Sequence, residues 1–324
     1  MVYNKRITMA RIDLSKLKRY SLKTRPSQFS VKDFVQPGTE TQLLNNPDLK
    51  VLAEAMVTAA KHGKTVIWMM GAHFVKAKLG LYLIEFMRRK LVTHLAMNGA
   101  STIHDFEFAY HGESSEDVMA ALKDGSFGMA EETGQILNET INAGAREGIG
   151  YGEAVGRLIA QSDFPYKDYS ILGNAYQLGV PITVHIAIGT DIIHMHPSCD
   201  GSLLGKATYH DFLKLTETVS TLEDGVLLNV GSAVLMPEVF LKALSICRNL
   251  GYPLERFVTA DLDRNATTDH FYRPHKNVVY RPTAIKGKGL LIKGNHTETI
   301  PTIYRYVIER LESLGFEELK GSRV

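Results

Sequence analysis

Between Ile182 and Gly205 the chain reads ITVHIAIGTDIIHMHPSCDGSLLG, and four of its side chains, His185, Asp191, His194 and His196, can each ligate a metal or move a proton. Imidazole nitrogens and carboxylate oxygens suit first-row metals, and an imidazole is the most frequent general base. No HExxH occurs in the chain, and no acidic pair has a characteristic ligand spacing, which argues against a metal. Three readings stand: a hydrogen-bonded loop that shapes a pocket, a general base at His194 or His196, and, as runner-up, a metal site made by His185, Asp191, His194 and His196. Asp191 is also placed as a substrate contact. A second pair, His104-Asp105, opens a helix. There Asp105 either caps the free N–H groups or, with His104, touches a ligand's ribose or reacting group. Lys76 follows Gly71-Ala72-His73 and either holds an anionic group or forms an imine with a carbonyl substrate.

These residues need elements to position them. LKVLAEAMVTAAKHG (49–63) has helical spacing and stops at glycine, and KTVIWMMGAH (64–73) is a short apolar run of the kind a buried parallel strand has. The alternation repeats through LVTHLAMNGA, VPITVHIAIG, GVLLNVGSA and RFVTADL, each strand followed by a helical stretch. NVVYRPTAI and GLLIKGN read as strands pairing across KGKG. The expected fold is α/β: a doubly wound, mainly parallel, Rossmann-like sheet with helices on both faces. Ligands of such sheets bind at the carboxyl ends of the strands. The turns expected there are Gly71-Ala72-His73, Asn98-Gly99-Ala100, Gly189-Thr190-Asp191, Gly231-Ser232-Ala233 and Thr259-Ala260-Asp261. Small residues before a helix N-terminus suit a phosphate, so a dinucleotide is the natural occupant, although no full GxGxxG is present.

Composition narrows the classes. Of 324 residues 44% are hydrophobic and 22% charged, which is a globular balance. A net charge of +2 gives no electrostatic footprint for nucleic acid. The basic stretch from Lys5 to Arg25 reads as a solvated arm or a subunit clasp. Two cysteines, Cys199 and Cys247, form neither a disulfide framework nor a CxxC site. No apolar run is long enough for a membrane helix, and the first residues lack a signal peptide's pattern. The expectation is a soluble cytoplasmic protein with an N-terminal arm (1–47) and one α/β domain (48–324).

With these residues in view, the chain from about Thr65 to Val307 resembles the deoxyhypusine synthases. Asp200-Gly201-Ser202-Leu203 is similar to that family's Asp-Gly-Ser-Leu-Gly segment. Leu95 to Ala100 followed by His104-Asp105-Phe106 resembles its Thr-Ala-Gly-Gly turn and acidic helix start. Val230-Gly231-Ser232-Ala233 stands where the family has Gly-Gly-Gly-Val, Thr259-Ala260 is similar to its Asn-Thr-Ala, and Asn295 falls near an aspartate that holds the cofactor's ribose. The resemblance implies NAD as cofactor, held by these turns, and a homotetramer with shared sites. It does not extend to the catalytic lysine motif, where this chain has Arg281-Pro282. The family's histidine is replaced by Pro237 or Glu238, and its polyamine-binding aspartate by Gly205 or Lys206. Lys206 would repel a polyamine and favour an anion.

The leading expectation is an NAD-dependent enzyme acting on a small substrate, with His194 or His196 as base and Lys76 or Lys206 holding an anionic group. Alternatives are aminobutyl transfer from spermidine to a protein lysine or amine, with Lys286 or Lys288 as nucleophile; a non-catalytic nucleotide-binding or assembly protein; and a metal-dependent enzyme using the histidine-rich loop.

Overall fold

The computed structural model describes residues 12–39 and 43–315. Its strands are β1 (Phe29–Ser30), β2 (Val66–Met70), β3 (His94–Asn98), β4 (Glu113–Ser114), β5 (Ile182–His185), β6 (Val226–Val230), β7 (Val258–Asp263) and β8 (Lys288–Lys293). The helices are α1 (Pro47–Lys61), α2 (Ala72–Lys76), α3 (Gly80–Arg88), α4 (Gly99–His111), α5 (Val118–Ala121), α6 (Glu131–Glu147), α7 (Tyr151–Gln161), α8 (Ile171–Gln177), α9 (Gly201–Val219), α10 (Leu235–Asn249) and α11 (His296–Ser313).

Six strands form one parallel sheet in the order β5-β3-β2-β6-β7-β8, and β1 pairs antiparallel with β4 as a short ribbon. Counting only the six in chain order, the sheet runs 3-2-1-4-5-6, the doubly wound dinucleotide order. Parallel strands covered on both faces need apolar side chains on both sides. That is why the VIWMM of β2 is buried throughout. Val66, Trp68 and Met70 face the larger core, while Ile67 and Met69 face a second core with Leu215 and Val219 of α9 and Phe240 and Ala243 of α10. Helix starts follow local chemistry: Asn46 precedes Pro47 and caps α1, and Asp200 caps α9.

One expectation changes here. The segment NVVYRPTAI is not a strand; His275–Tyr280 forms a π-helical stretch that carries the chain from β7 over to β8. A parallel neighbour cannot be reached by a tight hairpin, so the β-branched run is used in the crossover instead. The N-terminal segment, read as an arm, is tied to this chain's own body: Leu22 and Val31 are buried, Phe34 packs edge-on against Phe108, and Arg25 reaches Glu107. Residues 1–11 and 40–42 of that segment lie outside the described residues. No helix among the described residues is long and apolar enough to cross a membrane.

Candidate functional site at the carboxyl edge of the sheet

The winding of the sheet reverses between β2 and β6, and Gly71 and Gly231 follow those two strands. The Gly71 N–H donates to Val230 O at 3.0 Å, and a Cβ at Gly71 would stand 2.3 Å from Gly231 O. Glycine is required there by the approach of the two backbones. Gly231 has φ +67°, and a Cβ on it would be 2.6 Å from Nε2 of His296. His296 Nδ1 is buried with no protein partner. Burial holds this imidazole below its usual value, with Asp263 pulling it up and His73 pushing it down. Helix α2, which follows Gly71 and carries His73, also carries Lys76, and Lys76 lines a cavity.

That cavity, about 220 Å³, lies against the first two turns of α4. Ala100, Ile103, His104 and Glu107 face it at i, i+3, i+4 and i+7, which is one helical stripe. Arg25, Lys76, Glu116, Thr190, Asp191 and Ile192 complete most of the wall. Its floor is a buried ionic network. Arg25 grips Glu107 with two hydrogen bonds, Nη1 to Oε1 at 2.9 Å and Nη2 to Oε2 at 2.7 Å. Thr133 Oγ1 (2.9 Å) and Ser114 Oγ (2.6 Å) donate to the same carboxylate. Burial opposes the charge on Glu107, but the guanidinium outweighs it and holds the group below the usual carboxylate range.

Ser114 Oγ also stands 2.7 Å from Nδ1 of His104. A hydroxyl has one hydrogen. Because that hydrogen goes to Glu107, the serine oxygen accepts from His104, so Nδ1 carries the proton and Nε2 keeps its lone pair. Burial pushes the His104 imidazole down to about 4, against the upward pull of Glu107. It is therefore neutral at pH 7, with a fixed tautomer and a free acceptor nitrogen. A neutral imidazole oriented in this way can take a proton, and the Ser114–Glu107 chain favours the imidazolium that results.

The histidine-rich loop divides its roles differently from the expectation. His196 is 1% exposed; Nε2 bonds the Gly128 carbonyl at 2.8 Å, and the ring fills the space where Gly134 has no Cβ. His185 bonds Thr183 Oγ1 at 3.0 Å inside the sheet, and burial takes it down to about 3. His194 Nδ1 accepts the N–H groups of Gly189 and Asp191, both at 3.1 Å, which leaves Nε2 as the protonated nitrogen. Each of these three imidazoles thus spends one ring nitrogen on a hydrogen bond within the protein, and of the expected histidines His104 is the one that lines the cavity. Only Asp191 and His194 of the runner-up metal set approach each other, with Oδ2 and Nε2 3.8 Å apart. No group of three or more His, Cys, Asp or Glu among the described residues is arranged to hold a metal ion.

Asp191 does line the cavity, and burial raises its carboxyl to about 6. Its Oδ2 would be 2.1 Å from a Cβ at Gly99, so the protein's own carboxylate covers the start of α4. Asn98 spends its side chain on Ser101, accepting N–H at 3.0 Å and Oγ–H at 2.6 Å. The side chains of Asn98 and Asp191 thus already stand at the turn Asn98-Gly99-Ala100. Asp105 is on the other side of α4, where it accepts from Ser170 Oγ (2.5 Å), Ile171 N–H (2.7 Å) and Leu172 N–H (3.0 Å) and anchors the start of α8. It is not among the residues that line the cavity.

Other expected contacts are also occupied. Asp200 accepts Ser202 and Leu203 N–H at the start of α9, where Gly201 and Ser202 are exposed, and Lys206 is exposed on the same helix. Glu238 binds Arg273, Asn277 and Lys242. Thr259 and Ala260 lie inside β7, wholly buried, with Thr259 Oγ1 bonded to Val278 O; the strand runs on to Asp263. Asn295 forms a capping box with Glu298. The KGKG turn enters β8 at its amino end, the edge opposite the cavity, and Lys286 is paired with Glu255.

For a dinucleotide this leaves Gly71-Ala72-His73, Gly231-Ser232-Ala233 and His296 at the switch point. His296 sets its Nε2 beside Gly231 and keeps Nδ1 buried without a protein partner, which fits a ligand that offers a hydrogen-bonding group.

Sequence reasoning missed Arg25, Glu107, Ser114 and Glu116. Glu107 was legible as the last member of the α4 stripe. Nothing in the sequence connects Arg25 or Ser114 to it.

No protein-family model matches the chain, and no curated protein matches it. Solved structures align with it at low identity. An arginine dihydrolase of the cyanobacterial ornithine–ammonia cycle aligns over 84% of this chain and 32% of its own, with 13% identity and a TM-score of 0.48. AgrE, solved with ornithine and NAD+, aligns over 85% of this chain and 34% of its own, with 13% identity and a TM-score of 0.49. The chain thus spans about a third of the length of these two proteins. A protein of Entamoeba histolytica proposed to be a deoxyhypusine synthase aligns over 82% of this chain and 90% of its own, with 8% identity and a TM-score of 0.46. These alignments carry no activity over to this chain.

Proposed function

We propose that this chain is a nucleotide-dependent enzyme in which His104 takes a proton from a small substrate held in the α4 cavity. The observation that carries this reading is the Glu107–Ser114–His104 chain, which presents one unprotonated imidazole nitrogen at a cavity on the carboxyl edge of a 3-2-1-4-5-6 sheet. Ligands of such sheets bind at the carboxyl ends of the strands, and the cavity is lined by residues that follow β2, β3 and β5.

NAD is the cofactor of this proposal, held by Gly71-Ala72-His73, Gly231-Ser232-Ala233 and His296; when bound, it supplies a hydride acceptor. His104 Nε2 accepts the proton that substrate oxidation releases, and Ser114 and Glu107 hold the ring and favour its charged form. Lys76 and Asp191 orient the substrate, and the apolar walls Ile103, Val118 and Phe127 exclude water.

Calorimetric titration with NAD and NADP tests the cofactor. The expected result is binding that is weakened by Gly231→Val and left intact by His104→Gln. Failure of both nucleotides to bind overturns it. Substrate turnover that survives His104→Gln would overturn the assignment of the base.

A further inference from the structure

We infer that the α4 cavity takes a small zwitterion, an amino acid, with its carboxylate on Lys76 and its ammonium on Asp191. This rests on the cavity being the substrate site, as proposed above, and adds the class of molecule it holds.

The argument is an account of which charges in the wall are already used. Arg25 spends Nη1 and Nη2 on Glu107. Glu107 is met by Arg25, Ser114 and Thr133. Glu116 accepts the Gly128 N–H at 3.0 Å and the Tyr20 hydroxyl at 3.2 Å. Two charged groups are left. Lys76 has no carboxylate within 4.0 Å among the described residues, and its ammonium lies 6.0 Å from the Phe29 ring centroid. Asp191 accepts the His194 backbone N–H in a capping box but has no lysine or arginine partner, and His194 Nε2 is 3.8 Å from its Oδ2, beyond hydrogen-bonding distance.

A carboxylate kept from water without a cation is costly, and the cost is removed by a ligand that brings one. One lysine and one carboxylate without an ionic partner among the described residues, in the same cavity, call for a ligand that carries both charges. A ligand with only one charge would leave the other wall group unpaired. About 220 Å³ is also below the range for drug-sized ligands, roughly 300–1,000 Å³, and suits a metabolite of amino-acid size. Ala100, Ile103, Val118 and Phe127 give its carbon skeleton an apolar surface. Lys76 and His104 line the same cavity, so a substrate held by that lysine shares the space with the proposed base.

The test is calorimetric titration of the full chain with the proteinogenic L-amino acids, β-alanine and 4-aminobutyrate. The tightest binder is then compared with its des-amino acid and its des-carboxy amine. Loss of either group is expected to weaken binding by about tenfold or more. Lys76→Met should bring the amino acid to the level of its amine, while Lys76→Arg keeps the difference. Asp191→Asn should bring it to the level of the des-amino acid. Unchanged affinity on removing either charge, or no amino acid bound at about 10 mM, overturns the inference. NAD binding without amino-acid binding rejects this inference alone. Amino-acid binding without NAD rejects the nucleotide reading and leaves this one standing.

Discussion

Ser114 Oγ stands 2.7 Å from Nδ1 of His104 and gives its own hydrogen to Glu107 Oε2 at 2.6 Å. The relation fixes which histidine nitrogen is free. Nitrogen NMR on the labelled protein should find His104 neutral at pH 7, with its proton on Nδ1, and Ser114→Ala should mix the two tautomers. A tautomer with Nε2 protonated in the wild type would refute the proton-transfer role. Once a substrate is in hand, His104→Ala should cost about 10²–10⁴ in turnover.

Arg25 and Glu107 form a bidentate buried pair between segments far apart in the chain, with side chains 4% and 1% exposed. Removing one partner leaves the other charge buried and unpaired, so Arg25→Ala should destabilise the fold by about 3–5 kcal/mol. Urea denaturation measures this. A loss below about 1 kcal/mol would place the pair in a wetter setting than the one described.

Asp105 anchors α8 rather than a ligand. Asp105→Ala leaves the hydroxyl of Ser170 and the N–H groups of Ile171 and Leu172 without their acceptor. The expected loss is about 2–4 kcal/mol of stability, with NAD and amino-acid affinities retained in the folded fraction. A variant of full stability that has lost ligand affinity would return Asp105 to the site.

Asp211 gives a prediction in pH. Its Oδ2 accepts Gly152 N–H at 2.9 Å and Val184 N–H at 2.8 Å, and burial raises the carboxyl to about 7, the two N–H bonds opposing. The folded form therefore holds a proton that the unfolded form, with a pKa near 3.9, has released. Between about pH 4 and pH 7 the native state binds more protons, so this group makes stability fall as pH rises. Asp211→Asn lacks that dependence. The difference in melting temperature, wild type minus variant, should shrink from pH 5 to pH 8; a constant difference would contradict the raised pKa.

The strands of the central sheet were legible because burial on both faces forces runs such as VIWMM, which read the same in sequence and structure. Val278-Val279 misled for a related reason: β-branched residues also suit a buried crossover, and the requirement that β8 lie parallel to β7 is not local. In the site, His104 and Lys76 stood out by type and by place after strand-end glycines. The loop histidines stood out by type alone, and their hydrogen bonds to Gly128, Thr183 and the Gly189–Asp191 backbone come from tertiary packing. Arg25 carried no signal, since one arginine in a basic segment is like its neighbours until the chain folds back onto α4.

The contact between Gly71 and Gly231 bears on how this molecule can move. With room for no more than a hydrogen where the β2 and β6 turns meet, and with Gly71 N–H bonded to Val230 O, the two halves of the sheet are joined like a keyed masonry joint. A hinge between them would have to break that joint. Passage into the α4 cavity must then be governed from its outer wall, where Ser115, Gly125 and Gly128 hold positive φ around the short helix α5. Substitutions that stiffen these turns should slow ligand entry and exit equally, and leave the equilibrium affinity where it was.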